Sequence, residues 1–237
     1  MQNCGVSKFN GSSFTNYTAA NSGLSDNNTR KIAVDTDGST VWVATVGGGT
    51  NKFNGTSWTA YKTTNSPLPN NSVWGADVDS AGNKWFATMG GAAKFNGTSW
   101  TVYLTQLPHD DVYGVWIDPN DEPWFSTVGG VSHFDGTTWT TYQEENGMPE
   151  ENCRMVRVDE NGILWVACVI AGGVCRYNGT SWRQYKTTNS DLANNYVWCL
   201  EVETPKRLWF GNSGGVSLYE IVEGIILDKH SKSKPGK

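Results

Sequence analysis

The 237-residue chain has no block of Lys or Arg within its repeating body, no long apolar run, only three His and very little that reads as helix. The first absence, with a net charge of −5, argues against a nucleic-acid surface, which needs a basic stripe to neutralise phosphates. No stretch is long or apolar enough to cross a bilayer as a helix. Residues 1 to 11 do not read as a signal peptide and enter the repeat directly. Low charge with plentiful Asn, Ser, Thr, Gly and Trp suits an extracytoplasmic protein, secreted or periplasmic, with its leader outside this sequence.

Catalytic and metal chemistry are as thinly supplied. His109 falls in a loop, His133 in a strand and His230 in the tail. None has a distinctive Ser, Cys or carboxylate partner, and no Gly-rich loop precedes a helix, so no catalytic residue and no cofactor is expected. The five Cys (Cys4, Cys153, Cys168, Cys175, Cys199) are odd in number and lack a Cys-x-x-Cys, which excludes a zinc framework. Cys168 and Cys175 flank the turn at Ala171-Gly172-Gly173, open either to a disulfide or to two reduced buried thiols. Asp35-Thr-Asp37-Gly38 and Asp159-Glu-Asn161-Gly162 look like fragments of a calcium loop. Neither has the distal bidentate Glu that calcium wants, so Asx-turns are expected there and no metal site.

What the chain has is a repeat. Residues 83 to 103 run from Trp85 through a Gly90-Gly91 turn to Phe95, then an Asn96-Gly97 turn to Trp100 and Tyr103. Similar blocks occupy 40 to 61, 122 to 142 and 163 to 185. Trp42, Trp85, Trp124, Trp165 and Trp209 hold one position, 43, 39, 41 and 44 residues apart by subtraction. A period near 40 with several strands per unit is the range of propeller blades. Asn-Gly between alternating runs predicts hairpins of type I′, with positive φ at both central residues. A leading strand precedes each block, at 29 to 35, 73 to 79, 112 to 118, 153 to 159 and 197 to 203. The four strands of a unit are here called a, b, c and d.

The expected fold is therefore all-β: a five-bladed β-propeller of four-stranded antiparallel blades in one domain, residues 1 to 228. The N-terminal c-d pair (Val6 to Phe9, Phe14 to Tyr17) is expected to share a blade with the final a-b pair, closing the ring and hiding two exposed edges. A c strand at Val216 to Tyr219 is surplus to that scheme. The tail at 229 to 237 is expected to be disordered. The a-b-c-d order, with GNKWFATMGG at 82 to 91 and DENGILWVA at 159 to 167, resembles the two-component-regulator propeller repeats of bacterial sensor ectodomains. More distantly it is similar to the streptogramin-lyase type of propeller, whose catalytic His pattern has no counterpart here. The resemblance implies the fold; such repeats serve in sensors, adhesins and scaffolds alike.

Residues present in every blade belong to packing. That covers the d-strand Trp58, Trp100, Trp139 and Trp182, with Phe14 in the fifth place. It covers the sequon-like turns at Asn10, Asn54, Asn96 and Asn178, replaced by Asp135 in one copy. The regularly placed basic residues before the c-strand aromatic, Lys8, Lys52, Lys94, His133 and Arg176, suggest a solvated blade face, open to a cation lying over a ring. Residues that vary at a fixed place are the candidates for function. The second residue of strand a reads Arg30, Trp74, Tyr113, Arg154 and Trp198, beside Asn71, Asp110, Glu151 and Asn195 in the preceding turns. Flat rings and guanidinium groups among carboxamides and carboxylates suit a sugar or other small polar ligand; they also suit a plug for a channel. A non-catalytic binding module is expected, against a hydrolase or lyase using the acidic loops at 109 to 111 and 150 to 152, or a protein-interaction scaffold.

Overall fold

The computed structural model describes residues 4–204, 206–222 and 225–229. Its strands fall into six sheets, one of two strands and five of four, with every described pairing antiparallel. The chain divides into two compact units, 1–123 and 124–237. No helix among the described residues is long and apolar enough to cross a membrane.

The first unit opens with β1 (Val6–Phe9) and β2 (Phe14–Tyr17), paired with each other. A sheet of β3 (Thr29–Val34), β4 (Val41–Thr45), β5 (Gly49–Phe53) and β6 (Trp58–Tyr61) follows. The next contains β7 (Val73–Val78), β8 (Lys84–Thr88), β9 (Gly91–Phe95) and β10 (Trp100–Tyr103), and β11 (Val112–Ile117) is the unit's last strand. The second unit holds β12 (Pro123–Thr127), β13 (Gly130–Phe134) and β14 (Trp139–Tyr142), then a single 3-10 turn at Glu144–Asn146. Two further sheets complete it: β15 (Cys153–Val158), β16 (Leu164–Cys168), β17 (Gly173–Tyr177), β18 (Trp182–Tyr185), and β19 (Val197–Thr204), β20 (Arg207–Asn212), β21 (Gly215–Val222), β22 (Ile225–Lys229).

Aromatic rings supply the burial between sheets. In the first unit Trp42 (1% exposed) from β4 stacks on Tyr61 and meets Phe86 and Phe95 of the next sheet at 5.7 and 5.9 Å. In the second unit Trp165 plays the same part against Tyr185, Phe210 and Tyr219. Each buried aromatic removes about 150–250 Å² from water, which compensates for a chain only 38% hydrophobic. The Trp N–H has a fixed acceptor. Trp42, Trp85, Trp165 and Trp209 donate Nε1 to Asp35, Asp79, Asp159 and Glu203 at 3.1, 2.9, 3.2 and 2.6 Å. The carboxylates of Asp35 and Asp159 also accept backbone N–H groups of their own turns, from Thr36 and from Asn161 and Ile163, so these two calcium-like fragments form turns that anchor a Trp; Asp79 does the same with Asn83.

Two expectations need correction. First, the Asn-Gly hairpins are not type I′ turns: Gly55 and Gly97 have φ of 95° and 100°, whereas their Asn neighbours are not in the left-handed region. Asn54 Oδ1 instead accepts the N–H groups of Thr56 and Ser57 at 3.0 and 2.8 Å, an Asx-turn. Asp135 makes the same pair of bonds to Thr137 and Thr138, which is why Asp replaces Asn there without loss. Second, the N- and C-terminal strands do not share a blade. Among the described residues β1 and β2 form their own two-stranded sheet, while β19 and β20 are completed by β21 and β22. The surplus c strand at 216 to 219 is the body of β21, and it runs on to Val222 because no Asn-Gly turn ends it. Lys229, expected to start the tail, is the last residue of β22; residues 230 to 237 lie outside the described residues.

Candidate functional site

The variable second residue of each leading strand stands where two neighbouring sheets meet, and this brings the side chains together pairwise. In the first unit Arg30, Trp74 and Tyr113 form a continuous row. The Arg30 guanidinium lies 4.5 Å above the Trp74 ring, and Trp74 meets Tyr113 edge to face at 5.4 Å and 82°. All three are half-buried. In the second unit Arg154 lies 5.7 Å over Trp198, whose Nε1 donates to Ser213 Oγ at 2.9 Å and which remains 47% exposed.

Arg30 carries the unspent chemistry of the row. Its Nε is buried without a hydrogen-bond partner, and its guanidinium makes no ion pair or hydrogen bond with a described residue. Stacking on Trp74 contributes about 0.5–2 kcal/mol, and a guanidinium is a donor suited to hydroxyl or carboxylate oxygens.

The polar members of the predicted set are used differently. Asn71 Oδ1 accepts the N–H of Thr63 at 2.9 Å, and its carbonyl accepts from Gly47 and Gly49. Asn195 repeats this with Thr187 and Gly173, and Glu151 Oε1 accepts from Glu144. These three side chains hold the turns between sheets in shape before anything else, and Asn27, which accepts the Ala19 N–H, belongs with them. The shared spacing of eight residues between Asn and accepted N–H was visible in the repeat and marks the role. Asp110 is exposed, and its backbone carbonyl accepts the N–H of Gly91. Of the acidic loop, Glu150 Oε1 accepts the N–H of Asn152, so both carboxylates at 150 and 151 are occupied as turn acceptors. His109 is exposed, and its Nδ1 accepts the N–H of Asp111.

The three buried Cys of the second unit are free thiols: Cys168 and Cys175 lie 3.6 Å apart with Cys153 on the neighbouring strand. The neighbouring thiol of Cys153 and burial push the Cys168 thiol well up, and Cys175 follows for the same kind of reason, so both stay protonated. Such thiols are poor nucleophiles and poor metal ligands.

No family model matches the chain, and no curated protein matches it. Solved structures do. The extracellular domain of the putative hybrid two-component system BT3049 from B. thetaiotaomicron is 19% identical with a TM-score of 0.70, over 80% of this chain and 27% of that one. Virginiamycin B lyase from Staphylococcus aureus is 15% identical with a TM-score of 0.70, over 94% of this chain and 75% of that one. YCF48 bound to D1 peptide is 14% identical with a TM-score of 0.60, over 90% and 69%. The chain thus spans about a quarter of the sensor domain it matches. At these identities the likeness shows the fold: a β-propeller type of four-stranded antiparallel sheets.

Proposed function

We propose that this is a non-catalytic, extracytoplasmic binding module that takes a small polar ligand, foremost a glycan, on the row Arg30, Trp74 and Tyr113. The observation that carries the reading is the half-buried Arg30 guanidinium, stacked on Trp74 yet without a hydrogen-bonded or ionic partner among the described residues. A sugar ring can lie against the Trp74 and Tyr113 rings through its C–H faces while its oxygens meet the Arg30 donors. The engagement of Glu150 and Glu151 as turn acceptors counts against acid/base catalysis by that loop. The extracytoplasmic placement is supported by the extracellular domains that share the fold.

A glycan-array screen followed by melting-temperature shifts tests this. Trp74→Ala is expected to weaken binding about tenfold or more while the chain still folds. No response to any glycan, in a protein that melts cooperatively, would refute the proposal. A second reading, a peptide-binding scaffold, has one specific support, the D1 peptide bound by a protein of this fold. It predicts peptide capture that Trp74→Ala leaves intact.

A further inference from the structure

Four of the four-stranded sheets fill one place in one way. The b-strand Trp stacks on the d-strand Tyr of its own sheet: Trp42 on Tyr61 at 5.5 Å, Trp85 on Tyr103 at 5.7 Å, and Trp124 on Tyr142 and Trp165 on Tyr185 at 6.1 Å each. The c-strand residue paired with that Trp covers the ring: Lys52 at 5.8 Å, Lys94 at 4.8 Å, His133 at 4.1 Å and Arg176 at 5.5 Å.

The two-stranded sheet has both of these partners and no Trp. β1 and β2 repeat the c-d register, with Lys8 opposite Thr15 as Lys52 is opposite Thr59, which sets Lys8 and Tyr17 on one face. Among the described residues β1 pairs with β2 alone, so the position a b strand would take beside it is open. The Asn10 N–H bonds the Ser13 carbonyl. Alternation from that pair turns the backbone groups of Lys8 to β2 and those of Ser7 and Phe9 to the open edge. The adjoining sheet shows the same opening from its own side. Ile32 and Val34 of β3 are 46% and 57% exposed, whereas Ala76, Val115, Val156 and Leu200, at the place of Ile32 in later sheets, are all buried. In the joint between the two four-stranded sheets of the first unit, Ala33 and Trp42 close over Ala76 and Phe86.

We propose that the open edge of β1 takes up an extended, Trp-bearing strand of a partner protein. It pairs antiparallel in the b position, laying its Trp against Tyr17 and under Lys8 and covering Ile32 and Val34. Main-chain pairing to a sheet edge supplies affinity, and alternate side chains supply specificity. Lys8 beside Tyr17 argues for Trp in that strand, since a cation is held best over an indole and the same pair of residue types already holds one in two sister sheets. The site shares no residue with the Arg30 row and stands whether or not that row binds a sugar.

The probe is a fluorescein-labelled peptide with the sequence of residues 82–90, which contains β8, titrated into the full chain and followed by anisotropy. Saturable binding is expected, and Trp85→Ala in the peptide should weaken it about tenfold or more. In the β8–β9 register Phe86 of the peptide would bond Ser7, while the N–H of Trp85 would face away from β1. N-methylation at Phe86 should therefore abolish binding, and N-methylation at Trp85 should leave it within about twofold. In the chain, Ser7→Pro removes a donor from the open edge and keeps the β1–β2 ladder, and Val34→Asp charges the apolar wall. Each should weaken binding about tenfold or more in a protein that still melts cooperatively, and Lys8→Ala about threefold. No saturable binding by the wild-type chain would overturn the proposal. Binding that Ser7→Pro leaves intact would place the peptide on another edge, and binding indifferent to the methyl at Phe86 would exclude strand pairing; either result refutes it.

Discussion

At the scale of single residues, the turns between sheets and the c strands answer one another. In the first four-stranded sheet the Ser25 N–H points at the c strand and Asn51 Oδ1 accepts it at 2.9 Å. In the last, the Ala193 N–H is accepted by Ser217 Oγ at 3.0 Å. Where the same turn position is Pro69, Pro108 or Pro149 there is no N–H to satisfy, and the c strand offers Ala93, Ser132 or Cys175, so an acceptor is required only where the N–H is present. A buried donor without an acceptor costs about 1–3 kcal/mol, enough to enforce the match. Ser217→Ala should therefore lose about that much stability in urea unfolding, since Asn212 Nδ2 loses the same oxygen. Adding Ala193→Pro should recover the larger share. A double variant no more stable than Ser217→Ala would break the argument, and the cycle of both singles and the double reads the coupling directly. The basic residues show a like fit: Lys94 lies 4.8 Å over Trp85, Arg176 5.5 Å over Trp165, and His133 stacks on Trp124 at 4.1 Å.

At the scale of the sheet, the neighbour decides what one aromatic is worth. Trp42 and Trp209 hold equivalent places, bond equivalent acidic acceptors and sit on equivalent strands. Trp42 is 1% exposed because Phe86 and Phe95 of the following sheet close over it, whereas Trp209, in the last sheet of its unit, is 38% exposed. Trp42→Ala should cost about 3–5 kcal/mol and Trp209→Ala less than half of that. Equal losses in denaturant titrations would mean that stability does not pass from sheet to sheet as a repeat protein requires. The b-to-c turns are equally strict: at Gly49, with φ of 75°, a Cβ would run into the Tyr61 carbonyl.

At the scale of the whole molecule, carboxylates in the turns of two sheets, one in each unit, set the acid limit. The Thr40 hydroxyl and N–H, with the Ser39 N–H, hold Asp37 far below the usual carboxylate range, and the N–H groups of Thr138 and Thr137 lower Asp135. Burial works against ionisation of Asp35, but Lys84 at 2.9 Å and the Trp42 N–H outweigh it, so its value is lowered too. A depressed native value means stability that is complete above the unfolded value of about 3.9 and is lost as pH falls further, through the native ones. The urea midpoint should therefore hold from pH 7 to about 5 on account of these groups and fall below about 4, with a shallower acid limb in Asp37→Asn. A midpoint indifferent to pH between 5 and 2.5 would contradict this. The sequence by itself determined the strands, their order within the repeating sheets and the separation of constant from variable positions, because all of these are encoded in residues close along the chain; that the acidic residue after the leading strand anchors a Trp N–H came from the structure. It also placed Arg30, Trp74 and Tyr113 at one repeat position, which is most of the candidate site. Only the tertiary structure decided that Asn71, Glu151 and Asn195 serve their own turns, that the hairpins are Asx-turns, and that β21 pairs with β22 rather than leaving its place to β1 and β2. The reason is that two c-d pairs compete for one edge, and a hairpin to the next strand closes a far shorter loop than a return across most of the chain, a difference of roughly 3 kcal/mol in closure entropy. Local pattern cannot express such a competition.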